Sequence, residues 1–458
     1  MNAPPPSAFE AGPAKALTFH QWSVVAVSGA AAALEFLDGY IIAFVLAFIT
    51  GPWKLHYGQI AIVLLSSGVG GLVGSFVWGH FADKMGRRAT LAATVATCAI
   101  GSLAMAATPT GNWGYLAALR FVVGFGVGGF FVPMMLVQEF LPAAKRGRAC
   151  GIVSAAAAAG LVLGALSGAF LGPLIGWRGM FMVGGLPLLL AAAIYRLIPE
   201  SPQWLLTKGR DEDARQALAW AFGPGAGPAP AASPAKAQWR DLLRFPSKLL
   251  AGCLINLGVV TGYYGMTLWS PTLISQIQGI PGAKAAKLMI TISLAGLVSR
   301  FVVSALSDRI GRRRCGIAVS ALTGAALMLA ALVGHGDLLD RRDFWLFMIA
   351  AFVFADSTFA VNAVYTSEMW PPHLRGRGSG VAYAAGGIGK IIGPLGFALA
   401  VGSADVVKPV ATVQAIIVAF GYLAAMFWLA GITYLLVRID APATEAPPAR
   451  ATSVKVPA

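Results

Sequence analysis

The stretch Gly71–Arg88 reads GLVGSFVWGHFADKMGRR, and it returns much later in the chain as Gly296–Arg313, GLVSRFVVSALSDRIGRR. Both copies begin with Gly-Leu-Val and end with an aspartate that stands shortly before Gly-Arg-Arg. A second pair of segments, Glu139–Arg148 and Glu368–Arg377, shares a glutamate, a proline and a closing Arg-Gly-Arg at nearly the same separation. Two pairs of repeats that lie about half a chain apart predict a protein built from two similar halves.

The composition is that of a membrane protein. Hydrophobic residues make up 57% of the 458 positions and charged residues 12%, and the mean hydropathy is +0.72. A soluble domain contains about 25% charged residues, so this chain is far too apolar for that class. The net charge of +15 comes from basic residues in a few short loops. This clustering indicates the cytoplasmic side of a membrane, not a surface for nucleic acid.

Neither an enzyme nor a cofactor is predicted. The cysteines (Cys98, Cys150, Cys253 and Cys315) have no paired spacing, so neither a disulfide framework nor a metal site is indicated. The histidines lie in loops or at helix ends, with no nucleophile or metal-ligand spacing beside them. The sequence has no Walker loop to hold phosphates, so transport would be secondary and driven by ion or solute gradients.

Twelve apolar runs are each long enough to cross a bilayer, which takes about 20 residues. Clusters of Lys and Arg fall in alternate loops, which places both termini in the cytoplasm. We predict that the chain lies in the cell (inner) membrane. We therefore predict an all-α membrane protein of two pseudo-symmetric six-helix bundles. The runs are 22–49, 58–80, 89–107, 113–138, 149–172, 179–198, 248–276, 284–306, 315–334, 343–367, 378–402 and 411–437.

The same pattern predicts the domain organisation. The N-terminal cytoplasmic tail is 1–20, the first bundle 21–198, the cytoplasmic linker 199–247, the second bundle 248–438 and the C-terminal cytoplasmic tail 439–458. Within the linker, the mixed charge and helical spacing of Ser201–Phe222 predict a surface helix. The Gly/Pro/Ala-rich residues that follow, Gly223–Ala237, predict a flexible connection.

Three motifs resemble those of a known transporter family. Gly79–Arg88, GHFADKMGRR, looks like the loop signature between the second and third helices of the major facilitator superfamily. Arg120–Gly128 resembles the helix-four motif of that family, and Pro199–Leu205, PESPQWL, resembles the segment after helix six of its sugar porters. The resemblance covers the whole chain and implies the major facilitator fold, a monomeric carrier and alternating access. In the second copy of the loop motif, Ser304 replaces the leading glycine.

The resemblance also implies a cytoplasmic gate. Ion pairs between the motif charges would hold the outward-facing state and break as the halves rock about a central site. In the alternative interpretation, these charges only set the topology and cap helix ends. The implied gate residues are Asp83, Arg87, Arg88, Glu139, Arg146, Glu200, Asp308, Arg312, Arg313, Glu368 and Arg375.

Five ionisable residues lie well inside apolar runs, where each costs roughly 3 kcal/mol: Glu35, Asp38, Arg120, Asp356 and Lys390. Glu35 and Asp38 stand three residues apart and share a helix face. We predict that Asp38, with Glu35, accepts the coupling proton and that Arg120 pairs with Asp38. The alternative is a buried ion pair with a purely structural role.

One difference from related symporters bears on coupling. Aromatic-acid/proton symporters carry Asp-Gly-Tyr-Asp in their first helix, whereas this chain has an isoleucine in the fourth position of Asp38–Ile41. Glu35 or Asp38 must therefore substitute for the missing acid if transport is proton-coupled. A uniporter is the alternative.

Lys390 lies mid-membrane in a glycine-rich helix and is a natural partner for an anionic substrate. We predict that Asp356 neutralises it when the site is empty, and a permanent Lys390–Asp356 pair is the alternative. Sugar porters have an asparagine four residues before a Tyr-Tyr pair in helix seven, where this chain has Val259. A sugar would leave its hydroxyls unpaired in such a pocket, which favours an apolar or aromatic acid.

We therefore predict a proton symporter for a small organic acid, with an aromatic acid as one candidate, whose partners are an organic anion, protons and the lipid bilayer, without nucleic acid. Within transport, the alternatives are a sugar or polyol porter and a uniporter, and an exporter of cations is disfavoured by Lys390. A receptor that binds without transporting is the alternative of another class. The candidate substrate contacts are Lys390, Asp356, Tyr263, Tyr264, Trp269, Asn256, Asn362 and Gln138.

Overall fold

The computed structural model describes residues 17–223, 239–371, 374–402 and 405–436, and these are almost entirely helical. The predicted tails and the Gly/Pro/Ala-rich connection lie largely outside the described residues. The first half contains α1 (Phe19–Ile49), α2 (Tyr57–Met85), α3 (Arg87–Ala106), α4 (Trp113–Val127), α5 (Phe131–Phe140), α6 (Ala143–Leu166), α7 (Gly172–Val183) and α8 (Pro187–Leu197). The second half contains α11 (Pro246–Gln278), α12 (Gly282–Ile310), α13 (Arg312–His335), α14 (Phe344–Glu368), α15 (Arg375–Val401) and α16 (Pro409–Leu436).

The helices account for twelve membrane crossings, as predicted. By length and hydropathy, 11 segments of the described chain could cross a membrane. One of them, Lys145–Leu197, has 53 residues, enough for two crossings, and it includes a π-helical turn at Ser167–Leu171. The chain reverses at Gly176, whose φ of 66° lies in the left-handed region that glycine tolerates. The predicted all-α fold with two six-helix bundles is therefore confirmed.

The predicted surface helix is in fact two short helices, α9 (Pro202–Thr207) and α10 (Asp211–Phe222). They are separated at Gly209, which has a φ of 70°. Trp204 and Leu205 join the hydrophobic core of the first half. A short 3-10 helix, Trp239–Arg244, instead places Leu242 against Trp370 of the second half. Each end of the linker is thus attached to its own half.

Glycines allow α2 and α4 to pack with their backbones in contact. A Cβ atom at Gly124 would clash with the backbone of Ser67, and one at Gly70 or Gly74 would clash with carbonyl oxygens of α4. Small residues are favoured between membrane helices because close backbone approach replaces the missing hydrophobic driving force. The glycines of the helix-four motif therefore have a packing role.

The two halves are hydrogen-bonded to each other at the end of the bundle that carries Tyr57. The Tyr57 amide donates to the Asp405 carbonyl over 3.1 Å, and the Val407 amide donates to the Leu55 carbonyl over 3.0 Å. The hydroxyl groups of Tyr57 and Thr412 are also hydrogen-bonded. We call these contacts between 55–57 and 405–412 the latch. We call the opposite end, where α2 and α12 finish in Gly-Arg-Arg, the basic end.

We expect Gly124→Ala to destabilise the protein, because the added methyl would push α4 away from Ser67. Overpacking of this kind costs about 1–3 kcal/mol. Gly151→Ala is the matched control, since a Cβ there meets no atom within 4 Å. Thermal unfolding in detergent should show a lower Tm for Gly124→Ala and an equal or higher Tm for Gly151→Ala. Equal Tm values for the two variants would contradict the packing role.

Candidate functional site

Glu35 and Asp38 lie on one face of α1, as predicted, and both are buried, with 1% and 0% of their surface exposed. The Thr94 hydroxyl lies near the Glu35 carboxylate and the Ser102 hydroxyl near that of Asp38. These hydroxyls donate to backbone carbonyls, which leaves the carboxylate oxygens without a well-aligned donor among the described residues. A Cβ atom at Gly184 would lie 2.8 Å from Oδ1 of Asp38 and would also clash with Ser102. Asp38 therefore points between α3 and the end of α7, into a space that a glycine keeps open.

Arg120 of α4 binds the backbone of α1. Its Nη1 donates to the Asp38 carbonyl over 3.1 Å, and its Nη2 donates to the Gly39 carbonyl over 3.0 Å. Arg120 therefore lies beside Asp38, as predicted, but its hydrogen bonds go to the backbone, and the pairing with the Asp38 carboxylate is electrostatic. A backbone carbonyl that already accepts within the helix has a second lone pair, and Arg120 uses this lone pair instead of the Asp38 carboxylate oxygens.

Asp356 of α14 pairs with Arg300 of α12, with 2.5 Å between Oδ1 and Nη2. The Tyr263 hydroxyl donates to the same oxygen over 3.2 Å. The predicted neutralisation of Lys390 by Asp356 is therefore wrong, and so is the permanent pair offered as its alternative. Arg300 is not among the predicted site residues, although it lies inside the repeat Gly296–Arg313, where the first copy has Ser75. An arginine in place of serine within an otherwise repeated segment could have identified Arg300 from the sequence.

Lys390 of α15 lies beside aromatic rings. Its Nζ is 5.2 Å from the centre of the Tyr264 ring. The Tyr264 ring in turn stacks on Tyr40 of α1 at 6.4 Å and packs edge-to-face on Tyr263 at 5.9 Å. In the part of the chain that the structure describes, no carboxylate forms an ion pair with Lys390.

Lys390 also marks the junction of the two halves. A Cβ atom at Gly68 of α2 would lie 3.2 Å from the Lys390 carbonyl, so α2 and α15 are in close contact there. Cation, aromatic rings and half-to-half contact therefore coincide at one place. We call Lys390, Tyr264, Tyr263 and Tyr40 the central cluster.

The remaining predicted substrate contacts are distributed differently. Asn362 donates to Oδ1 of Asn256 over 3.0 Å, and its own buried Oδ1 has no partner among the described residues. Trp269 is fully buried, with its ring centre 4.8 Å from that of Phe397 and 5.8 Å from that of Tyr57, so it belongs to the packing beside the latch. Gln138 is exposed on α5. The structure does not bring Trp269 or Gln138 into the central cluster.

The gate residues of the first half form their own network at the basic end. Arg87 lies 3.5 Å from Asp83 and 3.5 Å from Glu139. Glu200 accepts from the backbone amide of Arg88 over 2.9 Å, which caps the start of α3. Ser201 donates to Glu139, and Arg146 donates to the carbonyl of the residue that follows α5.

The gate residues of the second half repeat this arrangement. Arg312 lies 3.2 Å from Asp308 and 2.8 Å from Glu368. Arg313 donates to the carbonyls of Tyr434 and Leu435 at the end of α16, and Arg375 is exposed as the first residue of α15. The ion pairs of the described gate residues therefore lie within one half or the other.

Comparison with known proteins agrees with this fold. The family model described as Major Facilitator Superfamily matches residues 29–394 and 288–457. A niacin transporter of Acinetobacter baylyi is 28% identical over 387 residues, covering 82% of this chain and 86% of that protein. A putative niacin/nicotinamide transporter of Bacillus subtilis is 28% identical over 383 residues, with 82% and 87% covered.

Among solved structures, the xylose transporter of E. coli in a partially occluded inward-open conformation superimposes with a TM-score of 0.73. It is 17% identical in sequence, and the match covers 92% of this chain and 100% of that one. This likeness shows the fold. The relatives are transporters, which confirms that the protein is a carrier and not an enzyme.

We expect Arg120→Lys to lower the stability of the protein, because an ammonium group lacks the paired donors that reach both α1 carbonyls. Hydrogen bonds from a charged group contribute about 1.5–3 kcal/mol each. Arg178→Lys is the matched control, since Arg178 also donates to a backbone carbonyl, that of Thr108, but in a less buried place. Thermal unfolding should show the larger loss for Arg120→Lys. Equal losses would contradict a special role of the buried pair of bonds.

Proposed function

The chain belongs to the major facilitator superfamily of transporters, and we propose that it takes up a small aromatic monocarboxylate together with a proton. The observation that carries this proposal is Lys390, a cation without a carboxylate partner among the described residues, beside the ring of Tyr264. A cation at membrane depth is costly unless it serves a ligand or a partner. An anionic ligand would therefore recover part of that cost.

The surroundings of Lys390 favour an aromatic ring behind the carboxylate. Tyr40 and Tyr264 offer ring faces and edges for offset or edge-to-face contact. A sugar would need many amides and hydroxyls, whereas Asn256 and Asn362 bind each other. The names of two relatives include niacin, a pyridine ring with one carboxylate, and the second name also includes the neutral amide nicotinamide.

Glu35 and Asp38 are the proposed proton site. A buried carboxylate without hydrogen-bond partners is costly as a charge, and a proton removes that cost. Arg120 fixes the α1 backbone beside Asp38 and donates no hydrogen bond to its carboxylate, whose oxygens can accept the proton. This arrangement supports symport despite the isoleucine at position 41, where related symporters have an acid.

Alternating access would follow from the two ends of the molecule. The halves are joined at the latch, and the gate ion pairs of the basic end lie within single halves. With the basic end in the cytoplasm of an inner-membrane protein, as loop charge indicates, this is the inward-facing arrangement of a monomer. Rocking would then break the latch hydrogen bonds and bring the two gate networks together.

Lys390→Ala should abolish most carboxylate binding, because the charge-assisted contact is lost. A contribution of about 1.5–3 kcal/mol corresponds to roughly a tenfold to hundredfold loss of affinity. The measurement is binding of nicotinate and of its neutral amide, nicotinamide, to the purified full chain, with Lys208→Ala as a surface control. Unchanged nicotinate affinity in Lys390→Ala, or stabilisation of the wild type by sugars alone, would refute the proposed substrate class.

Asp38→Asn should abolish proton-driven accumulation while leaving exchange of labelled for unlabelled substrate, because the amide cannot take up a proton but keeps the shape of the side chain. Proteoliposomes with an imposed pH gradient measure accumulation, and counterflow without a gradient measures exchange. Asp213→Asn on the surface helix is the control. Retained accumulation in both Asp38→Asn and Glu35→Gln would rule out the coupling role, and no accumulation in the wild type would indicate a uniporter.

A further inference from the structure

Six ionisable side chains lie inside the helix bundle away from the helix ends, and their positive and negative charges are equal in number. The first half contributes two carboxylates and one guanidinium, and the second half contributes one carboxylate, one guanidinium and one ammonium. Fully ionised, the group is neutral. With one proton on Glu35 or Asp38 its net charge becomes plus one, so the protonated centre accommodates one negative charge. The members are Glu35, Asp38, Arg120, Arg300, Asp356 and Lys390.

Within the second half, one of the two cations has a carboxylate partner and the other does not. Arg300 is paired at 2.5 Å with Asp356, whereas Lys390 has only aromatic neighbours among its described contacts. The space for the Asp356 carboxylate is built into the fold, because a side chain at Gly296 would clash with its Oδ2. Tyr263 adds a hydrogen bond to the carboxylate. Neighbouring residues of the second half therefore hold the Asp356 carboxylate in position to pair with Arg300.

We propose that Asp356 restricts the cargo to a single negative charge, by occupying the guanidinium of Arg300 that would otherwise bind a second carboxylate. The inference rests on the proposed function, in which the central cluster binds a carboxylate. In a dicarboxylate, the second anionic group would find Arg300 already neutralised and would meet the like charge of Asp356. Like charges disfavour each other most strongly in a medium of low dielectric constant.

Arg300 lies where it could bind the second carboxylate of a substrate if Asp356 did not occupy it. Its side chain is 17% exposed, it lies 5.4 Å from the centre of the Phe359 ring, and its Nε has no hydrogen-bond partner among the described residues. Tyr263, which binds the carboxylate paired with Arg300, packs against Tyr264, which lies beside Lys390. Arg300 and Lys390 therefore flank one pair of tyrosines, and without Asp356 the site would present two cations.

The test compares benzoate with isophthalate, which has the same ring and a second carboxylate. Binding is measured to the purified full chain, with neutral benzamide as the control ligand. We expect the wild type to bind benzoate at least about tenfold more tightly than isophthalate, because the second carboxylate of isophthalate would be left without a cation in a partly buried site. Asp356→Asn, which frees Arg300, should shift the affinity ratio toward isophthalate by roughly tenfold or more.

Two further variants keep the inference testable if Asp356→Asn folds poorly. Arg300→Gln leaves Asp356 uncompensated and should weaken benzoate binding by roughly tenfold without changing benzamide binding. Arg300→Gln combined with Asp356→Asn removes both charges. This double variant should again bind benzoate more tightly than isophthalate, as the wild type does.

The outcomes separate this inference from the function on which it rests. A wild type that binds benzoate and isophthalate equally, or an Asp356→Asn variant with an unchanged ratio, would overturn the role of Asp356 while leaving carboxylate transport intact. Unchanged benzoate binding in Arg300→Gln would overturn it as well. A wild type that binds neither benzoate nor nicotinate would overturn the proposed function itself, and this inference with it.

Discussion

The cost of holding a charge away from water determines the centre of this protein. The charged groups there are paired, bound to backbone carbonyls, left beside rings or buried without a well-aligned donor, and each arrangement has a different consequence. Arg300 and Asp356 cancel each other at 2.5 Å. Arg120 is satisfied by the carbonyls of Asp38 and Gly39. Only groups without such a partner are available to a proton or a substrate, and these are the α1 carboxylates and Lys390.

Close helix packing is what makes these arrangements possible. Gly124 allows α4 to approach α2, and Gly296 leaves room for the Asp356 carboxylate between α12 and α14. A methyl group at either position would meet another atom well inside normal contact distance. The same residue type therefore supports the fold in one half and the charge balance in the other. Glycines in this chain therefore allow close helix packing and also leave room for a buried carboxylate.

Sequence was sufficient for the architecture, because apolar length and repeated motifs identify helices without knowledge of their rotation. It also identified which residues are buried charges, apart from Arg300. It could not identify their partners. Whether Asp356 meets Arg300 or Lys390 depends on the relative rotation and crossing of α12, α14 and α15, which no local pattern specifies. Arg120 illustrates a second limit, since a long side chain reached backbone carbonyls that any sequence would offer.

The tyrosines give the two kinds of site a physical connection. Tyr40 directly follows Gly39, whose carbonyl holds Arg120, and its ring stacks on Tyr264 beside Lys390. A substrate ring bound at Lys390 would have to pack on these same phenols or displace them. In the proposed mechanism, movement of Tyr40 is movement of α1, which carries the proton site. Proton and anion would therefore be coupled through shared packing between the halves, without direct contact between the two charges.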